Sequence, residues 1–394
     1  MNVRQWDVFC RVVDNYGDIG VAWRLARQVA HEHGIAIRLW VDDLVAFKRI
    51  CPAVDPDLAL QSVASVQIHH WRRGIDAMAQ APTPCDAVIE MFACGLPESL
   101  LHAMAAGAAA APPVWIDLDY LSAEPWVDGV HGAASPHPRL AVTRHFFCPG
   151  FTARTGGLIR ERGLDQARRA FQRDAPAQQR FWVRLGAAAA LPGERRASMF
   201  AYAHAPLAGL LDAMAGDARQ TWTVFVPEGV LRSVLELYFD ASAAPGAVLQ
   251  RGALRVMAIP FLDQDDYDRL LWACDINFVR GEDSLVRAIW AARPFIWHIY
   301  AQDEETHRVK LDAFLARYEA GLGEHAASAQ RALWHAWNTP GGEIGAAWRA
   351  WWADEPERVR HAVNWQAAVE QVGDLAGNLV RFVATRSQSG TATC

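Results

Sequence analysis

The sequence predicts an α/β fold in two halves, each a mostly parallel sheet with helices between its strands. Two observations carry this. Short apolar, β-prone runs alternate with stretches of 3.6-residue period along most of the chain. A charged helical stretch, residues 160–184, separates one such series from the next. At 394 residues and 52% hydrophobic content, the chain can bury two sizeable cores and is not expected to be disordered.

The first run, residues 6–13, is apolar and suits a buried parallel strand. Asn15, Tyr16 and Gly17 break the pattern. From Ile19 a helical period places Ala22, Leu25, Ala26 and Val29 on one face. Strands are expected next at 36–41, 87–91 and 114–118, with a helix at 98–106. Strands alternating with helices make βαβ units and hence a parallel sheet. Residues 144–157 read as loop, and the connection at 160–184 breaks near Pro176. The second series predicts strands at 198–202, 221–226, 254–259 and 275–279, and helices at 206–215, 264–273 and 285–292. Residues 355–383 are helical by period. The expected domains are 1–170, rejoined by a helix near 360–384, and 185–358, with a flexible tail at 385–394. Two such halves with a returning helix predict a GT-B-like layout, two Rossmann-like domains facing a central ligand cleft. A dehydrogenase-type pair is the alternative, but no G-x-G-x-x-G follows the first strand.

A net charge of −6 argues against a general nucleic-acid binder. The seven cysteines are scattered, with no C-x-x-C pair, which suits a reducing cytosol. Asp7, Arg11 and Asp14 interrupt any signal-peptide core. The longest low-polarity run, 104–116, is short and broken by Pro112 and Pro113, so no membrane span is expected. The expectation is a soluble, cytoplasmic protein.

Two stretches combine strand, loop and helix with reactive side chains. WDVFCRVVDNYGDIGVAWRLARQVA, residues 6–30, puts Asp14 and Asp18 on a loop at the carboxyl end of a strand, where open α/β sheets place ligands. Gly17 and Gly20 allow a tight turn. The same residues also suit a plain turn and helix cap. CDINFVRGEDSLVRAIWAARPFIWHIY, residues 274–300, sets Arg280, Gly281, Glu282, Asp283 and Ser284 between a strand and a helix. A helix start there is a natural phosphate site, and an arginine can grip a diphosphate bidentately. Asp283 or Ser284 as an ordinary cap is the competing reading. In MAIPFLDQDDYD, residues 257–268, Asp263 and Asp265 spell D-x-D, which binds metal in some glycosyltransferases. They suit a helix N-terminus better than a metal, and Phe261 can stack on a base. No H-E-x-x-H, nucleophile elbow or phosphate-binding P-loop is present.

DNYGDIGVAWRLARQ, EMFACGLPE (90–98), WIDLDYLSAEPWV (115–127), FFCPGFTARTGGLIRE (146–161) and RGEDSLVRAIWAARPFIWHIY (280–300) together resemble the bacterial protein-arginine rhamnosyltransferases, which modify elongation factor P. The resemblance runs from the first strand to about residue 310, with a weaker helical tail. It implies a GT-B fold, a dTDP-β-L-rhamnose donor, and inverting transfer to an arginine of elongation factor P. By the family pattern, Asp14 and Asp18, in the loop with Asn15, Tyr16 and Gly17, serve the acceptor arginine. Arg280 and Glu282 stand at the catalytic centre, and Asp283 and Ser284 at the diphosphate. Phe200, Tyr202, Phe261, Gln264 and Tyr300 fall where the family holds the thymidine and its phosphate. No cofactor, metal, nucleic acid or membrane is implied.

The chemistry agrees with that carry-over. A guanidinium is a poor nucleophile, protonated and delocalised. A carboxylate pair can anchor it, aim one nitrogen at the anomeric carbon and take the proton. An arginine and a helix N-terminus can stabilise the departing diphosphate. Three rivals predict different outcomes. A small-molecule or lipid glycosyltransferase would turn over without a protein acceptor. An epimerase would alter the free sugar nucleotide alone. A non-catalytic binder would leave its partner's mass unchanged.

Overall fold

The computed structural model describes residues 5–13, 16–72, 85–106, 112–188, 191–229, 231–301 and 306–389. The chain divides into two compact units, Met1–Arg162 with Val369–Cys394, and Gly163–Ala368.

The first unit begins with strand β1 (Gln5–Cys10), helix α1 (Gly17–His33), β2 (Ala36–Val41) and α2 (Leu44–Ile50). It continues through β3 (Leu60–Val63), β4 (Val66–His70), β5 (Ala87–Met91), α3 (Glu98–Ala106), β6 (Val114–Leu118), α4 (Val127–Val130), β7 (Ala134–Pro136) and β8 (Thr143–Phe147). The sheet order is β3-β4-β2-β1-β5-β6-β8-β7. The six inner strands are parallel, and β3 and β7 close the edges antiparallel. Strand order therefore reverses at β1, between β2 and β5, the kind of switch point where ligands bind. Every residue of β5 and β6 is buried, as a sheet covered on both faces requires.

The second unit holds α5 (Leu164–Arg173), α6 (Ala175–Arg184), β9 (Glu194–Met199), α7 (Leu207–Ala215), β10 (Thr221–Pro227), α8 (Arg232–Phe239), β11 (Val248–Arg251), β12 (Leu254–Ile259) and α9 (Gln264–Ala273). Strand β13 (Ile276–Arg280), α10 (Gly281–Ala291), β14 (Phe295–His298), α11 (Thr306–Tyr318), α12 (Glu324–Trp337) and α13 (Ile344–Trp352) follow. Helix α14 (Glu355–Glu370) leads back to the first unit, which α15 (Leu375–Ser389) completes. The second sheet runs β11-β12-β10-β9-β13-β14, parallel except for β11, and its order reverses at β9. Aromatic rings fill its helical layer: Trp222 lies edge-on to Trp348 and Trp352, and Phe314 stacks on Trp334.

The return of the chain is fixed inside the first unit by polar contacts. The Gln28 side-chain amide, buried on α1, donates to the Arg160 carbonyl at 2.7 Å and to Asp374 at 3.1 Å. Residues Leu158 and Asp374 form a parallel bridge.

Several expected boundaries move. Strand β1 ends at Cys10 rather than at 13, and β9 spans Glu194–Met199 rather than 198–202. Residues 144–147, read as loop, form most of β8. Helix α10 starts at Gly281 rather than at 285, so Glu282, Asp283 and Ser284 lie in its first turn. Helix α15 runs to Ser389, five residues into the stretch expected as a flexible tail. The break in the 160–184 connection falls at Asp174, which caps α6 ahead of Pro176. No helix among the described residues is long and apolar enough to cross a membrane.

Candidate active site

In the first unit the site forms at the carboxyl end of β1. Asp18 sits in the first turn of α1, where an acid complements the helix dipole, but it does not cap the helix. The N-cap position is Tyr16, which makes no side-chain cap bond. Asp18 instead reaches back. Its Oδ2 accepts from the Val13 amide at 2.7 Å, and its Oδ1 accepts from the Tyr120 hydroxyl at 3.3 Å. The carboxylate is buried. Neighbouring loop residues are held too: the Val12 amide donates to Asp42 at 2.9 Å, and the Arg11 guanidinium lies 5.3 Å from the Trp71 ring centre. Asp14 and Asn15 lie outside the described residues. Gly17 opens α1.

Tyr120 is itself supported. Its ring stacks on Phe92 at 4.3 Å and 13°. Phe92 and Ala93 both adopt left-handed backbone angles, φ 57° and 48°, which residues with a Cβ seldom take. The Phe92 amide donates to the Leu118 carbonyl at 2.8 Å, tying this turn to the end of β6. Close by, burial and then the adjacent Glu90 push the Asp117 carboxyl up to about 6, against the pull of Arg144 at 3.2 Å. The sequence named the stretches that hold Phe92 and Tyr120 but gave neither residue a role. An aromatic next to an acid at a strand end was the available signal.

In the second unit the site forms where β9, β13 and β14 end. The Arg280 side chain is almost fully buried, and its guanidinium carbon lies 4.3 Å from the Phe200 ring centre and 4.8 Å from that of Tyr202. A cation between two aromatic rings is held by their quadrupoles and in a fixed plane. One guanidinium nitrogen donates to the Ala201 carbonyl at 3.2 Å. Ser284 does not cap α10. Its Oγ accepts from the Arg280 amide at 3.0 Å and donates to the Arg280 carbonyl. Gly281 takes φ 61°, the sharp turn from strand to helix. Glu282 and Asp283 are half-buried in the helix's first turn. Tyr300, largely exposed, meets the Tyr202 ring edge-on at 5.7 Å.

Phe261 and Gln264 follow β12, which is separated from β9 by β10. Helix α9 nevertheless reaches the cluster, because Tyr267 meets the Phe200 ring at 5.8 Å. Asp268 and Arg287, both buried, clamp α9 to α10 with bonds of 2.9 and 2.6 Å. Gln264 is buried in the first turn of α9, and Asp263 caps that helix by accepting from the Asp266 amide at 2.8 Å, so D-x-D serves the helix start. Among the described residues, no group of three or more His, Cys, Asp or Glu side chains is placed to hold a metal ion. Two histidines join the cluster without a prior role: His298 and His204 lie 4.7 Å apart, ring to ring.

Thus Phe200, Tyr202, Arg280, Ser284 and Tyr300 gather in one unit, and Asp18 stands at the switch point of the other. Comparison with known proteins gives this arrangement a context. The family model for elongation factor P (EF-P) rhamnosyltransferase EarP matches residues 6–384. A protein-arginine rhamnosyltransferase of Pseudomonas putida is 48% identical over 378 residues, 96% of this chain and 98% of the relative. The same-named protein of Pseudomonas aeruginosa is 49% identical over 380 residues, with the same shares covered. A solved structure described as the basis for EarP-mediated arginine glycosylation of translation elongation factor EF-P superposes with a TM-score of 0.67 at 36% identity, covering 97% of this chain and 99% of that one. A spinosyn rhamnosyltransferase complexed with thymidine diphosphate shares the GT-B fold alone, with a TM-score of 0.53 and 12% identity over 96% of this chain and 99% of that one. With a match that spans both units and relatives nearly half identical along their whole length, the chain belongs to the EF-P rhamnosyltransferase (EarP) family.

Proposed function

We propose that this protein transfers L-rhamnose from dTDP-β-L-rhamnose to an arginine side chain of elongation factor P in the cytoplasm, with inversion and without a metal ion. Family membership carries the reaction class. The observation that carries the assignment of parts is the pair of preorganised charges, one at each switch point. Asp18 is a buried carboxylate held on both oxygens. Arg280 is a buried guanidinium held between two rings.

In this reading Asp18 is the base, and Asp14 anchors the acceptor guanidinium. The nucleophilic nitrogen attacks the anomeric carbon as Asp18 takes its proton. Inversion requires the leaving diphosphate on the opposite face of the sugar. Arg280 and the N–H groups opening α10 stabilise the charge that develops there. Glu282 works at the reacting centre, Asp283 and Ser284 at the diphosphate. The rings of Phe200, Tyr202, Phe261 and Tyr300, with Gln264, hold the thymidine and its phosphate.

The test is direct. Protein, dTDP-β-L-rhamnose and elongation factor P are incubated with and without chelator, and the acceptor is weighed intact. A gain of one deoxyhexose in both samples, abolished when the acceptor arginine becomes lysine, is the expected result. The α-anomer by NMR of the glycosylated peptide would establish inversion. Turnover of donor without an acceptor protein, or loss of activity with chelator, would overturn the corresponding part.

A further inference from the structure

We propose that His298 is a positioning residue of the donor site: its imidazole fixes the loop of residues 200–202 and, through that loop, the guanidinium of Arg280. The inference rests on the reading of Arg280 as a donor-site group.

His298 ends β14, is 1% exposed, and pairs in register with Arg280 on the neighbouring strand. Its Nδ1 accepts from the Tyr202 amide at 3.2 Å. A ring that accepts at Nδ1 is neutral and carries its proton on Nε2. The surroundings enforce that state: burial first, then His204, Arg280 and His307, lower its pKa to about 3. The acceptor is therefore present at any working pH.

The loop that His298 grips is held at three successive residues. The Phe200 amide donates to the Phe278 carbonyl at 2.9 Å. The Ala201 carbonyl accepts from Arg280 at 3.2 Å, and the Tyr202 amide is the bond to His298. Phe200 and Tyr202 are the two walls of the arginine slot. Two of these anchors are backbone or Arg280 itself. His298 is the remaining side chain, and it also presses edge-on against the Tyr202 ring at 5.2 Å with Trp337 at 5.6 Å. Without its acceptor the Tyr202 amide loses this bond, and one wall of the slot loses an anchor. An arginine that must be flat and fixed before the donor arrives would then sample other orientations.

Two replacements separate the acceptor from the packing. In His298→Asn the amide oxygen takes the place of Nδ1 and keeps the bond. In His298→Leu the volume is retained and the acceptor is lost. Melting temperature, calorimetric Kd for dTDP, and kcat and KM for dTDP-β-L-rhamnose are measured on the full chain. His298→Leu is expected to raise the dTDP Kd and donor KM together by about 10- to 100-fold, the effect of removing one amide's acceptor. His298→Asn should stay within about 3-fold of the parent, and both should melt within a few degrees of it. If His298→Leu melts much lower, His298→Met is read instead, because its flexible thioether fills irregular gaps. Parent-like donor binding in the acceptor-free variant, or equal loss in Leu and Asn variants, overturns the proposal. Arg280→Ala separates it from the underlying reading: if that change leaves dTDP binding and turnover intact, the donor-site reading fails and the proposal with it. If Arg280→Ala loses binding while His298→Leu keeps it, the proposal alone fails.

Discussion

Asp18 accepts on one oxygen from the Val13 amide and on the other from the Tyr120 hydroxyl, so the plane of its carboxylate is set before any ligand binds. Asparagine at this position keeps the shape: its carbonyl can accept from Val13, and its amide can donate to the Tyr120 oxygen. What it lacks is the charge and the ability to take a proton. We therefore expect Asp18→Asn to lower kcat by about 10²- to 10⁴-fold, the usual worth of a positioned base. The melting temperature should stay within a few degrees of the parent. Time courses of acceptor mass give the rate, and a thermal melt gives the control. Near-normal turnover in the folded variant would move the base elsewhere, with Asp14 next in line.

At the scale of elements, the turn after β5 holds two successive residues outside their ordinary backbone range. Phe92 and Ala93 are both left-handed, and the pair aims Phe92 at Tyr120 and so at Asp18. A left-handed residue with a Cβ costs about 1–2 kcal/mol. Glycine removes that cost but adds about 0.5–1 kcal/mol of unfolded-state entropy. The Ala93 side chain is exposed, so no packing is lost. Ala93→Gly should stabilise the fold by about 0.5–1 kcal/mol in urea unfolding. A clear destabilisation would show that the conformation is not strained. Elements like this also explain what could be read from the sequence. Strands at 114–118 and 254–259, and helices at 98–106 and 264–273, are found where expected because each is bounded by its own punctuation: Pro112 and Pro113, Gly252, Pro97, and the Asp263 cap. Strand β9 begins four residues earlier than expected because Glu194, Arg195 and Arg196 do not look like a strand. Only across the sheet does Glu194 meet Arg255 at 2.7 Å and the Thr223 hydroxyl of β10. Strand β8 was hidden for the same reason: its neighbours β6 and β7 define it, and its own residues alternate poorly. For the candidate site, the pattern of the residues named Asp18, Arg280, Ser284 and Phe261, and the resemblance named Phe200, Tyr202 and Tyr300. Neither supplied Phe92, Tyr120 or His298, whose roles depend on contacts distant in the chain.

At the scale of the molecule, burial keeps six histidines among the described residues below their ordinary pKa: His69, His131 and His145 in the first unit, His204, His298 and His361 in the second. Burial is the leading cause for each. For His69, His145, His204, His298 and His361, nearby positive groups add to it. In the unfolded chain these rings protonate near pH 6.5. The unfolded state therefore binds more protons than the folded one as pH drops below that value, and stability rises with pH through the window. Each proton so withheld contributes at most about 1.4 kcal/mol per pH unit. Asp117 acts in the opposite sense. Its carboxyl, raised to about 6 mainly by burial, keeps a proton that the unfolded chain releases near 4, so its contribution is lost as pH rises through 4–6. Glu319, its carboxyl also raised by burial, acts in the same sense, and two such groups do not offset six. The urea midpoint should fall steadily between pH 7.5 and 5.5. His298→Asn should fall less steeply, because its side chain binds no proton in either state. A parent midpoint that stays flat or rises on acidification would mean that these rings are not held neutral by the fold, and the permanent acceptor at His298 would lose its basis.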